Sequence, residues 1–129
     1  MRTKNKIIKC AQSAREWADG HARYHTIFNS SLQGMCAITS AYLFELLIQA
    51  GLKAKIAYND NHCFILTNGY LVDVTASQFP DIKEKICIQK YNQLQCPPRY
   101  WRISKKFNSV LELQMYQQEH FWPNYQIVK

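Results

Sequence analysis

The sequence lacks the segments that direct a chain into or across a membrane. Its 129 residues contain no apolar run approaching the ~18 residues of a membrane span, so we expect no membrane partner. The basic N-terminus is not followed by the apolar stretch and cleavage site of a signal peptide. No linker, repeat or low-complexity tract divides the chain. We therefore expect one cytoplasmic domain, residues 1–129, and its small size fits a delivered effector or a phage or plasmid product.

The cysteine spacing argues against a zinc site and against a disulfide framework. No C-x-x-C pair occurs among the five cysteines, which are Cys10, Cys36, Cys63, Cys87 and Cys96. His21 and His25 are four residues apart, as two metal ligands on a helix would be, but no third ligand is evident. We expect neither a metal nor another cofactor, and we expect a reducing compartment in which free thiols persist.

The chain does contain enough apolar material for a core, together with an excess of positive charge. Hydrophobic residues make up 47% of the sequence, which excludes an intrinsically disordered protein. Lys and Arg number 16 against 9 Asp and Glu, which leaves a net charge of +7. A positive surface can attract an acidic protein substrate or a nucleic acid.

Residues 35–50 are apolar or small at almost every position, which predicts a helix buried against several partners. Gly51 is a suitable stop because glycine adopts the left-handed conformation without steric cost. Gly34 allows a sharp turn into the helix and leaves the backbone open to a substrate. Cys36 then lies in the first turn, where free N–H groups and the helix dipole favour a thiolate. A single cysteine considered alone, however, is more often buried and inert.

Three strands are predicted after this helix. Residues 53–58 alternate between apolar and polar, residues 59–61 form a polar turn, and residues 62–67 form a second strand. Asn68-Gly69 is the strongest short hairpin signal and predicts a two-residue type I′ turn into a third strand, residues 70–75.

The register of this hairpin brings a histidine and an aspartate together. A two-residue turn pairs Thr67 with Tyr70, and side chains alternate between the two faces of the sheet. His62 and Asp73 then share a face as diagonal neighbours, which predicts a hydrogen bond between them. A slip of one residue would put them on opposite faces. Cys63 points away from His62 and is expected in the core.

Residues 33–79 resemble the transglutaminase-like branch of the papain-like cysteine enzymes. The similarity lies in the helix start GMC, the helix end LLIQAG, the strand LKAKIAY and the segment NHCFILTNGYLVDVTASQF. Arylamine N-acetyltransferases have a similar Cys-His-Asp order. The resemblance implies a single α+β catalytic domain in which a central buried helix carries the nucleophile and packs against an antiparallel β-sheet. It implies a catalytic triad of Cys36, His62 and Asp73.

These three side chains suit nucleophilic catalysis at an amide. Cys36 would attack a carbonyl to form a thioester, His62 would act as general acid, and Asp73 would orient the imidazole. Water would then give hydrolysis or deamidation, and an amine would give acyl transfer. The expected substrate is a glutamine or a peptide bond of a protein, and the positive charge of the chain would suit an acidic one.

Two groups are expected to stabilise the oxyanion. One is the backbone N–H of Cys36. The other is a side-chain amide, for which Gln33 is the candidate and Asn29 a substitute. We interpret Gln78 as a surface or hinge residue.

The remaining segments are interpreted as scaffold. Apolar residues at helical spacing predict a helix over residues 7–18 that Gly20 stops. Residues 82–89 suggest a helix-to-strand element and residues 99–104 a strand. Ser109 and Glu112 have the spacing of a capping box, which opens a further helix.

Two non-catalytic interpretations stay open. Basic residues within 99–106 are interleaved with Tyr100 and Trp101 and followed by Phe107, a mixture that can bind a phosphate backbone and stack on bases. No nucleic-acid-binding motif accompanies it. Alternatively, a degenerate triad persists only as a scaffold for protein interactions. A binding module would not need the three triad residues in register.

Overall fold

The computed structural model describes residues 2–24, 35–59, 62–79, 81–91 and 101–121. Within these residues the chain has an α+β fold of three α-helices and one five-stranded antiparallel sheet. The helices are α1 (Thr3–Tyr24), α2 (Cys36–Gln49) and α3 (Val110–Phe121). The strands are β1 (Ala54–Asn59), β2 (His62–Thr67), β3 (Tyr70–Asp73), β4 (Cys87–Lys90) and β5 (Lys105–Phe107), in the spatial order β4-β3-β2-β1-β5.

The hairpin between β2 and β3 has the predicted register. Thr67 pairs with Tyr70 and Ile65 with Val72. Asn68 and Gly69 have φ angles of +49° and +81°, as a type I′ turn requires at both central residues. Because the turn sets the pairing, it also determines which side chains of the two strands share a face.

The two faces of the sheet are covered by different parts of the chain. One face packs against α1 and α2 through a large apolar cluster that includes Ile7, Leu43, Leu47 and Ile65. On the other face Phe64 and Leu71 pack with Trp101 in a smaller cluster, to which Ala76, Phe79, Ile82 and Ile103 also belong. The side chain of Asp73 belongs to this second face, because it alternates with Val72, which faces the helices.

Helix α2 has the predicted ends but is more exposed than predicted. Gly51, at φ +83°, closes a Schellman motif in which Gly51 N–H bonds Ile48 O at 2.9 Å and Leu52 N–H bonds Leu47 O at 3.0 Å. Ile38 and Ile48 are 45% and 44% exposed, so the prediction of burial on nearly all sides was wrong. Among the described elements, α1 and the strands β1 and β2 make the main contacts with α2.

Helix α1 continues past the predicted stop. Gly20 was expected to end it, yet the helix runs to Tyr24. A glycine inside a helix costs only about 1 kcal/mol relative to alanine. The fully buried Ala11, Ala14 and Ala18 pack this helix into the core up to the residues just before Gly20.

The predictions after β3 hold in part: strand β4 follows the helix-to-strand prediction over residues 82–89, and the capped helix is present. Residues 82–86 form no helix, and residues 101–104 form no strand because Trp101 turns into the core and pairing with β1 starts only at Lys105. At α3 the capping box is confirmed, since Glu112 N–H donates to Ser109 Oγ at 3.2 Å. The Glu112 carboxylate reaches back to the N–H of Asn108 at 3.1 Å. None of the described helices combines the length and the apolar character that crossing a membrane requires.

Candidate active site

Cys36 is the first residue of α2, as predicted. The first helical hydrogen bond runs from Thr39 N–H to Met35 O at 2.9 Å. The backbone N–H groups of the first turn, which starts at Cys36, therefore have no acceptor inside the helix. The N-cap residue is Met35, whose side chain makes no capping hydrogen bond. The positive end of the helix dipole therefore acts on the half-buried Cys36 thiol.

The thiol of Cys36 contacts two side chains of β2. It is hydrogen-bonded to the thiol of Cys63 and to the ring of His62. The hydrogen bond from Cys63 is the largest cause that lowers the pKa of Cys36, and the hydrogen bond and charge of His62 add to it. Burial opposes these effects, and together they bring the pKa to about 5. These contacts favour the thiolate form of Cys36 at neutral pH.

Cys63 is buried, as predicted, but its contact with Cys36 was not foreseen. Its hydrogen bond to Cys36, together with burial and the nearby negative charge, raises the pKa of Cys63 far above the ordinary range of a thiol. Cys63 therefore keeps its proton and donates it to the Cys36 thiolate. The alternation of β2 correctly assigned Cys63 to the core face, but the sequence carries no signal that the start of α2 lies against it.

His62 makes the predicted hydrogen bond with Asp73. Its Nε2 lies 2.5 Å from Asp73 Oδ2, and its side chain is fully buried. Because Nε2 is engaged in this way, Nδ1 is the ring nitrogen left to interact with Cys36. The ring of Phe79 packs edge-on against the imidazole, with centroids 4.9 Å apart.

The protonated imidazole is stabilised despite its burial. Burial alone would lower the pKa of His62. The hydrogen bonds to Asp73 and Cys36 and the negative charges of both groups outweigh it and raise the pKa to about 9. Between these values of about 5 and about 9, the pair exists as thiolate and imidazolium.

Asp73 is held by donors from three parts of the chain. Trp101 Nε1–H donates to Oδ2 at 2.7 Å, the oxygen that also binds His62. The Thr75 backbone N–H and hydroxyl approach Oδ1 at 2.9 Å and 3.4 Å. The carboxyl group is 1% exposed, and these donors replace the water it loses. Sequence reasoning missed Trp101, and the one available signal is that a buried indole N–H usually needs an acceptor.

Gln78 also lies at the site, in contrast to its interpretation as a surface or hinge residue. It ends the 3-10 turn Ala76–Gln78, and its Nε2 is 3.4 Å from His62 Nδ1. The prediction was wrong because the short turn after β3 folds the chain back over the imidazole, and a three-residue turn has no periodic signature in the sequence.

Arg15 of α1 anchors this turn through hydrogen bonds. Its Nη1 lies within hydrogen-bond distance of three oxygens: Ser77 Oγ at 2.8 Å, Val74 O at 3.0 Å and Lys85 O at 3.1 Å. Arg15 also forms a 3.0 Å ion pair with Asp19. One side chain of α1 thus ties together the segment that follows Asp73 and the segment that enters β4.

Other predicted residues are outside the described part of the chain. They include Gln33, Asn29, His25, Cys96 and Tyr100. The described cysteines, Cys10, Cys36, Cys63 and Cys87, are free thiols. Within the described residues no group of three or more His, Cys, Asp or Glu side chains is placed to hold a metal ion.

Comparison of the chain with models of known protein families, with curated proteins and with solved structures gives no match. The functional argument therefore depends on the site geometry.

Proposed function

We propose that the protein is a cysteine hydrolase or acyltransferase that acts on amide bonds through Cys36, His62 and Asp73, within a transglutaminase-like core. One observation carries this proposal: a thiol at a helix N-terminus contacts an imidazole whose other nitrogen is held by a buried carboxylate. The catalytic use of such a set is nucleophilic attack by the first group, proton transfer by the second and orientation by the third.

The proposed reaction begins with the Cys36 thiolate. Its lone pair forms a bond to the carbonyl carbon, and the carbonyl π electrons move to oxygen. The Cys36 backbone N–H, which has no acceptor inside α2, is a donor for that oxyanion. On collapse the carbon–nitrogen bond breaks, and the Nδ1 proton of His62 passes to the leaving amine.

The second half of the reaction releases the acyl group. A thioester now joins the substrate to Cys36, and His62 is neutral. His62 takes a proton from water or from an amine as that nucleophile attacks the thioester. Asp73 orients the ring and stabilises the imidazolium each time it forms. Water yields deamidation or hydrolysis, and an amine yields acyl transfer.

The proposed substrate is a glutamine side chain or a peptide bond of a protein. The net charge of +7 favours an acidic protein, because a positive surface raises the encounter rate with a negative partner. We propose a cytoplasmic setting, in which the thiols stay reduced.

The competing proposal is a basic module that binds nucleic acid. It needs exposed aromatic rings beside the basic residues. Trp101 and Phe107 are only 4% and 2% exposed, so neither offers a face to a base. The ammonium group of Lys105 lies 4.5 Å from the centroid of the Tyr116 ring. These contacts favour the enzyme over the binding module.

The proposed function is tested with a panel of glutamine-containing peptides, with and without a primary amine. Mass spectrometry separates deamidation, amine incorporation and chain cleavage. We expect one of these products with the wild-type chain and none with Cys36→Ser, together with an acyl adduct on Cys36. Unmodified peptides and an unmodified Cys36 throughout the panel would overturn the proposal.

A further inference from the structure

Besides Asp73 and Cys36, a third polar side chain, that of Gln78, lies next to the imidazole of His62. Its amide Nε2 lies 3.4 Å from His62 Nδ1, and its backbone N–H donates to Thr75 O at 3.1 Å. The preceding residue, Ser77, is held by Arg15, and the following residue, Phe79, packs on the His62 ring. The side chain therefore projects from a turn that is anchored on both sides.

The amide and the thiol share one nitrogen of His62. Nε2 is engaged with Asp73, so both Cys36 and Gln78 approach the ring at Nδ1. The Gln78 amide and Cys36 Sγ are therefore placed at the same edge of the imidazole ring, and Gln78 is only partly buried. A carbonyl attacked by Cys36 has to enter this same region.

The protonation state of the ring decides what Gln78 can bind. When Nδ1 is unprotonated it accepts from Gln78, although 3.4 Å is long for such a bond. When Nδ1 carries a proton it points that proton at the thiolate and no longer accepts from Gln78. The amide N–H then faces the negative charge of the site, which moves from sulfur to the carbonyl oxygen during attack.

We infer that Gln78 Nε2 donates to the oxyanion that forms on the substrate carbonyl, beside the backbone N–H of Cys36. This inference rests on the proposed function, and it identifies the side chain that donates a hydrogen bond to the oxyanion of the proposed reaction. Gln33, the donor predicted from the sequence, is outside the described residues. A role for Gln78 in positioning His62 is the opposing assignment, because a rotated amide would accept from Nδ1 through its oxygen.

Two reactions of Cys36 separate these assignments. p-Nitrophenyl acetate acylates the thiolate: the sulfur–carbon bond forms, the charge moves to the carbonyl oxygen, and the intermediate expels p-nitrophenolate. Iodoacetamide alkylates the same thiolate by displacing iodide, and no oxyanion forms. The first reaction needs the proposed donor, while both need the thiolate and its ion pair with His62.

The experiment measures both rate constants in wild type, Gln78→Ala and Gln78→Met. Methionine has nearly the length of glutamine but no hydrogen-bond donor. Gln78→Met therefore still tests the donor if Gln78→Ala disturbs the turn. Gln114→Ala, at an exposed glutamine of α3, is the matched control. We expect both Gln78 variants to slow acylation by roughly 100-fold or more, the effect of losing one oxyanion donor. Alkylation and its pH profile should stay as in wild type.

Three outcomes would overturn the inference. If acylation is unchanged in both variants, Gln78 is not the donor, and the proposed function stands. If alkylation and acylation slow together, or the alkylation profile shifts in pH, Gln78 positions His62 instead. If the wild-type chain is not acylated at Cys36, the proposed function fails, and this inference fails with it.

Discussion

The indole of Trp101 donates a 2.7 Å hydrogen bond to Asp73 Oδ2, the oxygen that also holds His62. A residue 28 positions further along the chain thus completes the environment of the carboxylate. The contact binds the second face of the sheet to the proposed triad, so folding of that face and orientation of His62 depend on each other.

Trp101→Phe should lower the free energy of unfolding by about 2 kcal/mol, because hydrogen bonds to charged groups contribute roughly 1.5–3 kcal/mol. Denaturant unfolding followed by circular dichroism measures it. In an Asp73→Ala background the acceptor is absent, so the same substitution should cost much less. Equal costs in both backgrounds would show that the hydrogen bond contributes nothing.

Asp73→Asn should lower the pKa of His62 from about 9 towards the ordinary value of a histidine, because it removes a negative charge in contact with the ring. NMR titration measures the shift, with His62→Ala to assign the resonance. The proposed reaction should slow by roughly 10²–10⁴-fold at neutral pH, because the neutral amide no longer fixes the tautomer of the ring or stabilises the imidazolium that acts as general acid. A His62 titration unchanged by the substitution would contradict this account of the pair.

Two substitutions of Cys63 show how much a hydrogen-bond donor at this position lowers the pKa of Cys36. Cys63→Ser keeps a donor beside Cys36, while Cys63→Ala removes it at little change in volume. The Cys36 pKa should rise in Cys63→Ala and stay close to the wild-type value in Cys63→Ser. The measurement is the midpoint of the pH profile for alkylation of Cys36. Identical midpoints in wild type and both variants would show that the Cys63 thiol does not stabilise the thiolate.

Arg15→Lys should destabilise the fold by about 2 kcal/mol. The guanidinium binds Asp19 through Nε and the oxygens of the turn through Nη1, and the single nitrogen of an ammonium cannot serve both places. Unfolding by denaturant measures the loss. Arg102→Lys is the control, since Arg102 is exposed. If both substitutions have the same small effect, Arg15 does not hold the turn that carries Gln78.

Local sequence signals predicted the contact at the centre of the site. Asn68-Gly69 determines the register of the hairpin, and the register alone brings His62 next to Asp73. The helix start at Cys36 and the stop at Gly51 follow from equally local rules. Each of these predictions needs only neighbouring residues or one tight turn.

The contacts that sequence reasoning missed all join distant segments. Trp101 reaches Asp73 from 28 residues away, and Arg15 reaches Val74 from 59 residues away. Neither contact can be predicted before it is known how α1 and residues 101–104 pack against the sheet. Gln78 was misread for a related reason: its position depends on the turn that Arg15 holds.

The central claim is that Cys36 is a thiolate paired with protonated His62, and its most direct test is the rate of iodoacetamide labelling of each cysteine against pH. With a Cys36 pKa of about 5, its labelling should fall only below that pH, while ordinary thiols, with a pKa of about 8.5, slow already below pH 8. In His62→Ala the Cys36 profile should move to higher pH, because the positive partner is gone. Labelling of Cys36 no faster than that of the other four cysteines, with the same profile in His62→Ala, would contradict the account.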